Sequence, residues 1–184
     1  MLLLSTSTCG IAHRQEDWRL IQTIEDICKM LWSALLYSEQ EVNQVTSFIP
    51  TPYPDKLDPI NIWVRQTPKN HAFTIRLGLA MCYEYTKRFD QASKHEADIN
   101  ELRRIGYYQP IKYHQHRRVL CNFRPELSPF PFVLRNKYQV LNKHKQVDIV
   151  ASHRQYYYKN NKKKYSPRHP AYAPVCTIEL HFKK

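Results

Sequence analysis

Glycine is scarce in this chain, with three residues among 184 positions. Phosphate-binding loops of the P-loop and Rossmann types require glycine where the backbone approaches the phosphate. The chain contains no glycine-rich run of that kind. The sequence therefore argues against a nucleotide-binding fold of either class.

Paired cysteines are also missing. The chain has five cysteines, an odd number without a Cys-x-x-Cys pair: Cys9, Cys28, Cys82, Cys121 and Cys176. This arrangement predicts neither a disulfide framework nor a zinc site. Cys28 and Cys82 lie within apolar helical patterns, where cysteine behaves as a small core residue. A reducing compartment is the expected environment.

Long apolar runs are absent too. The opening Met1–Leu4 stretch is too short for a signal-peptide core and lacks a positively charged lead-in. No run approaches the roughly 20 apolar residues that a membrane span needs. We therefore expect a cytoplasmic location and no membrane partner.

Acidic residues become rare in the second part of the chain. The whole sequence has 28 Lys and Arg against 16 Asp and Glu, a formal net charge of +12. Residues 1–106 hold 12 basic and 13 acidic side chains, whereas residues 107–184 hold 16 basic and 3 acidic ones. A regional surplus of this kind favours an acidic partner. Nucleic acid, either DNA or RNA, is the first expectation, ahead of an acidic protein or anionic lipid.

The chain length fits one domain, because domains commonly contain about 100–200 residues. We predict a mainly α fold of about four helices, with long proline-rich loops, one or two short β-strands and a basic C-terminal tail. The expected organisation is an N-terminal arm over residues 1–16, a helical domain over 17–158 and the tail over 159–184.

The strongest helix signal follows Thr67 and Pro68. Thr67 is a good N-cap, and Pro68 suits the first helical position because its missing N–H would be unpaired there. Apolar residues then recur at helical spacing as far as Tyr85, and Asp90 lies just beyond them. The pattern predicts a helix of five or six turns that is buried on more than one side.

Three further helices are expected, over residues 17–37, 93–105 and from about 148. Ser93 is the predicted N-cap of the second of these, and Gly106 is placed to end it. Residues 38–62 are predicted to be a long connection, because four prolines disfavour helix there. Such a loop is either functional or a cover for the core. Short strands are expected near residues 119–123 and 175–182.

Aromatic and basic side chains alternate in the C-terminal part. Lysine and arginine neutralise phosphates, and tyrosine offers a stacking face to unpaired bases. The alternative is a set of core-edge tyrosines and a solvated lysine tail. The residues predicted to contact nucleic acid, including two arginines and a tryptophan near the central helix, are Trp63, Arg65, Arg88, Arg117, Arg118, Arg154, Tyr156, Tyr157, Lys162, Lys163 and Lys164.

Catalytic residues are harder to find. Glu84 is flanked by tyrosines in an apolar pattern, so its carboxyl group could have a raised pKa and act as an acid or base. An ion pair with Arg88, four residues along, is the simpler interpretation. His114 and His116 would share one face of a strand, but no third ligand is predicted near them. We therefore expect no metal and no cofactor.

Several segments resemble a family of small helical bacteriophage proteins, some of them labelled as pyrimidine-dimer DNA glycosylase-like. The similar segments are Lys29-Met30, Pro59 with the run Ile62–Arg65 (IWVR), the run Gly78–Arg88 (GLAMCYEYTKR) and the run Ala151–Tyr157 (ASHRQYY). The resemblance spans roughly residues 20–158. It implies a helical phage or viral protein in the host cytoplasm, nucleoid or virion.

The chain departs from the family pattern at its titratable positions. Asp26, Asp58 and Ser93 stand where the family has histidine, and Asn136-Lys137 replaces an acidic pair. The resemblance therefore implies a degenerate copy if the family is enzymatic, and Asn-Lys for Asp-Glu adds positive charge.

These observations leave three hypotheses. The first is a non-catalytic nucleic-acid-binding protein, retained as a subunit or structural component of a larger nucleoprotein assembly. The second is a DNA-repair glycosylase/lyase acting on damaged pyrimidines, in which Lys29 is the amine nucleophile and Glu84 the acid–base group. The third is a scaffold whose basic tail binds an acidic protein. Loss of the family histidines favours the first hypothesis over the second.

Overall fold

The computed structural model describes residues 7–37, 51–107 and 127–160. Within these ranges the protein is mainly α-helical and contains no β-strand, which confirms the predicted fold class. An isolated antiparallel bridge between Leu141 and Val147 is the extent of β-pairing in these ranges. The strands expected near residues 119–123 and 175–182 lie outside the described residues.

Six α-helices occur in the described part of the chain, rather than the expected four or so. They are α1 (Thr8–His13), α2 (Asp17–Leu36), α3 (Pro59–Gln66), α4 (Pro68–Phe89), α5 (Glu96–Ile105) and α6 (Ile149–Asn160), with a short 3-10 helix at Asn136–Tyr138. No helix in these ranges has both the length and the apolar character needed to cross a bilayer.

Helix α4 is the centre of the fold. The Thr67 hydroxyl accepts a hydrogen bond from the Asn70 N–H at 2.9 Å, and Pro68 occupies the first turn, as the sequence predicts. Asp90 ends the helix in the left-handed conformation, with φ of 54°. Helices α1, α2, α3 and α5 all pack against α4, so it is buried on several sides.

Helix α3 corrects the prediction that residues 38–62 form a connection without helix. The Asp58 carboxylate accepts hydrogen bonds from the N–H groups of Ile60 at 2.8 Å and Asn61 at 3.0 Å. Pro59 therefore stands at the start of a capped helix, where a missing N–H costs nothing. The argument that identified Pro68 as a helix start applies equally to Pro59.

Helix α1 lies within the segment that the sequence interpretation treated as an arm. The Ser7 hydroxyl caps it by accepting a hydrogen bond from the Gly10 N–H at 3.1 Å. Ile11 and Ala12 are buried in the same core as α2 and α4. Part of residues 1–16 is thus integral to the helical core.

Helix α5 begins three residues later than predicted. His95 precedes it without a side-chain cap, while the Ser93 carbonyl accepts a hydrogen bond from the Glu96 N–H at 3.1 Å. Ser93 therefore forms a turn ahead of the helix rather than capping it. Gly106 ends the helix as expected, with φ of 86°.

Gly78 allows the helices to pack closely at the middle of α4. A Cβ atom added to Gly78 would lie 2.9 Å from Ile27 Cγ2 and 3.2 Å from Ile99 Cδ1. Ile27 belongs to α2 and Ile99 to α5, and both are buried. The absence of a side chain at this position therefore sets the spacing of three helices.

Asn70 joins the segment that begins at residue 127 to the helical core. Its amide nitrogen donates to the Trp63 carbonyl and to the Ser128 hydroxyl, each at 2.7 Å. Its amide oxygen accepts from the Ser128 N–H at 2.9 Å. The buried Asn70 side chain thus connects α3, α4 and this later segment.

The later segment folds back on the start of α6. The Ser152 hydroxyl accepts a hydrogen bond from the Val140 N–H at 2.9 Å, and the Asp148 N–H donates to the Val140 carbonyl at 2.8 Å. Asp148 also accepts from the Ala151 N–H at 2.9 Å, which caps α6 where the sequence predicts.

The thiols of Cys28 and Cys82 are free and buried, as their apolar surroundings indicate. Cys9, in contrast, is disulfide-bonded, which the odd number and the spacing of the cysteines do not predict.

Replacing Gly78 by alanine should destabilise the protein by about 1–3 kcal/mol, because a Cβ atom would press on Ile27 and Ile99. Helix propensity alone would favour alanine by about 1 kcal/mol. Urea unfolding measures the change, with Ala72→Gly on the exposed side of α4 as the control for propensity. A stabilised Gly78→Ala variant would show that the helices are not this closely packed.

Stability should fall on mild acidification because two histidines are buried. Burial lowers the pKa of both His71 and His153 from 6.5 to about 4. The unfolded chain binds their protons first, so this stability is complete above pH 6.5 and declines as the pH falls toward 4.

The measurement is the slope of the unfolding free energy against pH, between about pH 7 and about pH 5. His71→Gln should lower this slope by the contribution of up to about one bound proton. This change does not depend on the stability of the variant at neutral pH. His144→Gln, at an exposed histidine, is the matched control variant. Equal slopes in all three proteins would contradict the burial argument.

Candidate functional site

Trp63 does not offer a stacking face to nucleic acid in this structure. Its side chain is 4% exposed, and its ring makes edge contacts with Phe73 and Phe130 at centroid distances of 5.9 and 5.1 Å. Its indole N–H donates to the Ser128 carbonyl at 3.1 Å. The Trp63 ring, which was predicted to stack on a base, is therefore part of the hydrophobic core.

Arg65 is likewise buried, with 5% of its surface exposed. Its guanidinium donates to the Lys56 carbonyl at 2.6 Å and lies 5.0 Å from the centroid of the Tyr37 ring. Its own carbonyl accepts a hydrogen bond from the Tyr107 hydroxyl at 3.0 Å. These contacts hold α3 against neighbouring segments and leave no face for a phosphate.

The Arg88 side chain binds the C-terminal end of α1. Its guanidinium donates to the carbonyls of His13 and Gln15, both at 2.8 Å, and pairs with Asp17 at 3.0 Å and Glu84 at 2.8 Å. Since its donors are occupied by the protein, the predicted phosphate contact is replaced by a structural one.

Glu84 forms the ion pair with Arg88 that was the simpler interpretation of its sequence pattern. Its carboxylate binds Arg88 at 2.8 Å and lies 3.4 Å from His13 Nδ1. The residue is buried between α4 and the end of α1. A general acid or base with these partners would first have to leave them.

Lys29 also has a partner. Its ammonium lies 2.6 Å from the Glu25 carboxylate, one turn back along α2. No described contact joins Lys29 to Glu84, so the structure does not bring the two predicted catalytic residues together.

The predicted residues of α6 differ in exposure. Tyr157 is 2% exposed and faces Arg19, whose guanidinium carbon lies 5.7 Å from the ring centroid. Tyr156 is partly buried, with its ring edge-on to Tyr138 at 5.0 Å. Arg154 is partly buried as well. The remaining predicted contacts lie outside the described residues: Arg117, Arg118, Lys162, Lys163 and Lys164.

Exposed positive charge concentrates in one part of the described chain. The basic segment, residues 135–159, contains six basic side chains and one acidic side chain, Asp148, which caps α6. Residues 7–37 and 51–107 together hold 12 basic and 11 acidic side chains. Five of the six basic side chains in the basic segment are exposed: Arg135, Lys137, Lys143, Lys145 and Lys159. Residues 7–37 and 51–107 also expose eight basic side chains, but they expose three acidic ones as well, whereas the basic segment exposes none. The basic segment is therefore distinguished by its density of exposed positive charge.

A cleft of about 230 Å³ opens between α2, the end of α4 and the turn before α5. Residues with charged, polar and apolar side chains line it: Ile21, Ile24, Glu25, Tyr85, Gln91, Ala92, Ser93, Lys94 and His95. Glu25 brings the Lys29 ion pair to its edge. Ser93, one of the positions where the resemblance expects histidine, is at this cleft.

Three groups of metal-binding type lie together beside the cleft. One ligand atom each from Cys28, His95 and Asp98 lies within 4.8 Å of the other two. The Cys28 sulfur is 3.8 Å from an Asp98 oxygen. Burial, and then the nearby Asp98 carboxylate, raise the pKa of the Cys28 thiol to about 12.

Cys28 was predicted only as a core residue, and His114 and His116 were the residues weighed for metal binding. The His-x-x-Asp spacing at His95 and Asp98 was the available signal, since residues three apart share a helix face. Cys28 is about seventy residues away in sequence, and only the packing of α2 on α5 brings it near.

Comparisons with known proteins add no assignment: the chain matches no protein-family model, no curated protein and no solved structure. The resemblance to the bacteriophage family stays a prediction.

Removal of the Arg88 side chain tests whether this arginine is structural. Arg88→Ala should lower the free energy of unfolding by about 2–4 kcal/mol, because it leaves Glu84 and the α1 carbonyls without their partner. Arg88→Lys should retain part of the stability. Arg76→Ala, on the exposed face of α4, should change it by less than about 0.5 kcal/mol. Similar unfolding curves for Arg88→Ala and Arg76→Ala would contradict the structural role.

Proposed function

We propose that the protein binds nucleic acid through phosphate contacts made by the exposed side chains of the basic segment. The observation that carries this proposal is the dense group of exposed basic side chains in residues 135–159, which contain no exposed acidic side chain. In residues 7–37 and 51–107 the two charge signs nearly balance, and several arginines are held by the protein. In residues 135–159 the basic side chains face solvent almost without acidic neighbours.

The mode of contact follows from which side chains remain accessible. Lysine and arginine bind phosphate by charge and release counterions, which requires exposure but no particular base. Trp63 and Tyr157 are buried, so stacking on bases by these residues is withdrawn from the proposal. The expected binding is therefore sensitive to salt and largely independent of base sequence.

The turn at residues 142–145 is exposed along its whole length. Lys143, His144 and Lys145 are exposed in sequence there. The Asn142 side chain accepts hydrogen bonds from the N–H groups of His144 at 2.9 Å and Gln146 at 3.0 Å. Because backbone and Asn142 hold the turn, the lysine side chains can be replaced without loss of its contacts.

The repair-enzyme hypothesis has weaker support. The amine of Lys29, the nucleophile in that hypothesis, is held in an ion pair with Glu25 at 2.6 Å. Glu84 is occupied by Arg88 and His13. The same contacts do not bear on the scaffold hypothesis, which also uses the basic surface and is separated from nucleic-acid binding by experiment.

Fluorescence anisotropy with labelled DNA and RNA, single- and double-stranded, measures the proposed binding over a range of salt. The double variant Lys143→Gln/Lys145→Gln should weaken binding to duplex DNA and reduce the slope of log affinity against log salt by about 2. Arg76→Gln/Arg103→Gln removes the same charge from exposed positions in the balanced part of the chain and should leave the slope nearly unchanged.

Absence of binding at low salt would overturn the proposal and leave an acidic protein partner. Equal losses in both double variants would show a general charge effect without a site. A parallel incubation with UV-irradiated duplex and borohydride tests the alternative. A trapped adduct that is lost in Lys29→Ala would establish the repair enzyme instead.

A further inference from the structure

We propose that Cys28, His95 and Asp98 form a binding site for a zinc-type divalent metal ion. One ligand atom from each residue already lies within 4.8 Å of the others. The cluster is separate from the basic segment, so this inference does not depend on nucleic-acid binding.

The three donor groups match the preferences of zinc. Zinc binds thiolate sulfur at about 2.3 Å and imidazole nitrogen or carboxylate oxygen at about 2.0–2.2 Å. Around a tetrahedral ion, neighbouring ligand atoms are therefore separated by roughly 3.3–3.8 Å. The 3.8 Å between the Cys28 sulfur and the Asp98 oxygen is at the upper end of this range. Small side-chain rotations would bring the remaining ligand-to-ligand distances into it. A thiolate ligand also disfavours magnesium and calcium, which prefer oxygen.

Rigid elements hold the ligands. Cys28 is buried in the middle of α2. His95 immediately precedes α5, and Asp98 is in its first turn, so the two are three residues apart on one side. Helices α2 and α5 pack on each other and on α4, which fixes the distance between the thiol and the other two groups.

The cluster has a polar atom that the protein leaves unsatisfied. His95 Nε2 is buried and has no hydrogen-bond partner among the described residues. A hydrogen bond between Cys28 and Asp98 explains the proximity of those two groups, but it leaves this nitrogen unexplained. Coordination of an ion by the imidazole ring would orient His95 and give the three groups one common partner.

Metal uptake must displace the proton of the Cys28 thiol, because burial and the Asp98 carboxylate raise the pKa of this thiol to about 12. The Cys28 thiol is protonated before uptake. Binding forms a bond from sulfur to the metal, breaks the S–H bond and releases one proton to solvent.

Three protein ligands leave one position for water or another ligand. Structural zinc sites usually have four protein ligands, whereas a site with three keeps an open position. His95 also lines the cleft beside Glu25 and Lys94, so a molecule in that cleft would lie next to a metal ligand.

The test uses the full chain, first stripped with a chelator and then titrated with Zn²⁺ and with Co²⁺. Competition with a chromophoric chelator should give one equivalent of zinc. Cobalt should produce a sulfur-to-metal charge-transfer band in the near ultraviolet, which reports ligation by a thiolate. Asp98→Asn should weaken zinc binding at least about tenfold, and Cys28→Ala should abolish the cobalt band.

Matched controls separate this site from adventitious binding. Cys82→Ala removes the other buried free thiol, and Asp90→Asn neutralises an exposed carboxylate in a left-handed position that asparagine tolerates. Both should retain the cobalt band and the zinc affinity. Binding without the band, a band that survives Cys28→Ala, or no binding at all would each overturn the proposal. Circular dichroism of each stripped variant verifies that it is folded.

Discussion

Burial of α4 on several sides is the constraint on which the rest of the structure depends. A helix surrounded by α1, α2, α3 and α5 cannot leave polar groups unpaired without a free-energy cost. Asn70 therefore binds Trp63 and Ser128, and Glu84 binds Arg88. The apolar residues of α4 pack in the core, and its buried Asn70 and Glu84 side chains each also attach a neighbouring segment.

This constraint also decides which basic residues can serve a partner. An arginine beside a buried helix is drawn to the carbonyls and carboxylates that need donors, as Arg88 is at the end of α1. The segment beyond α5 carries few acidic groups and packs through Asn70 and the Val140–Ser152 contacts, so its lysines stay in solvent. The lysine side chains of this segment are thus available to a partner, because no buried acceptor in the described core binds them.

The sequence predicts what local chemistry controls and misses what packing controls. Helices α2, α4 and α6 were predictable because caps, proline positions and apolar spacing are local signals. Helix α3 was missed although Asp58-Pro59 has the same logic as Thr67-Pro68. Trp63 and Arg65 were assigned to a partner because residue type does not reveal burial. The Cys28–His95–Asp98 cluster depends on a long-range approach of α2 and α5 that no spacing encodes.

Two of the positions where the resemblance to the bacteriophage family expects histidine, Asp58 and Ser93, have identifiable places in the structure. Asp58 accepts two N–H groups at the start of α3, which a carboxylate does well and an imidazole does poorly. Ser93 lies in the turn before α5, two residues from His95 and at the same cleft. The cleft contains titratable groups without a histidine at position 93, because Glu25, Lys94 and His95 line it. The Cys28–His95–Asp98 cluster lies between α2 and α5, whereas the basic segment comes later in the chain. The proposed metal binding and the proposed phosphate binding therefore use separate residues.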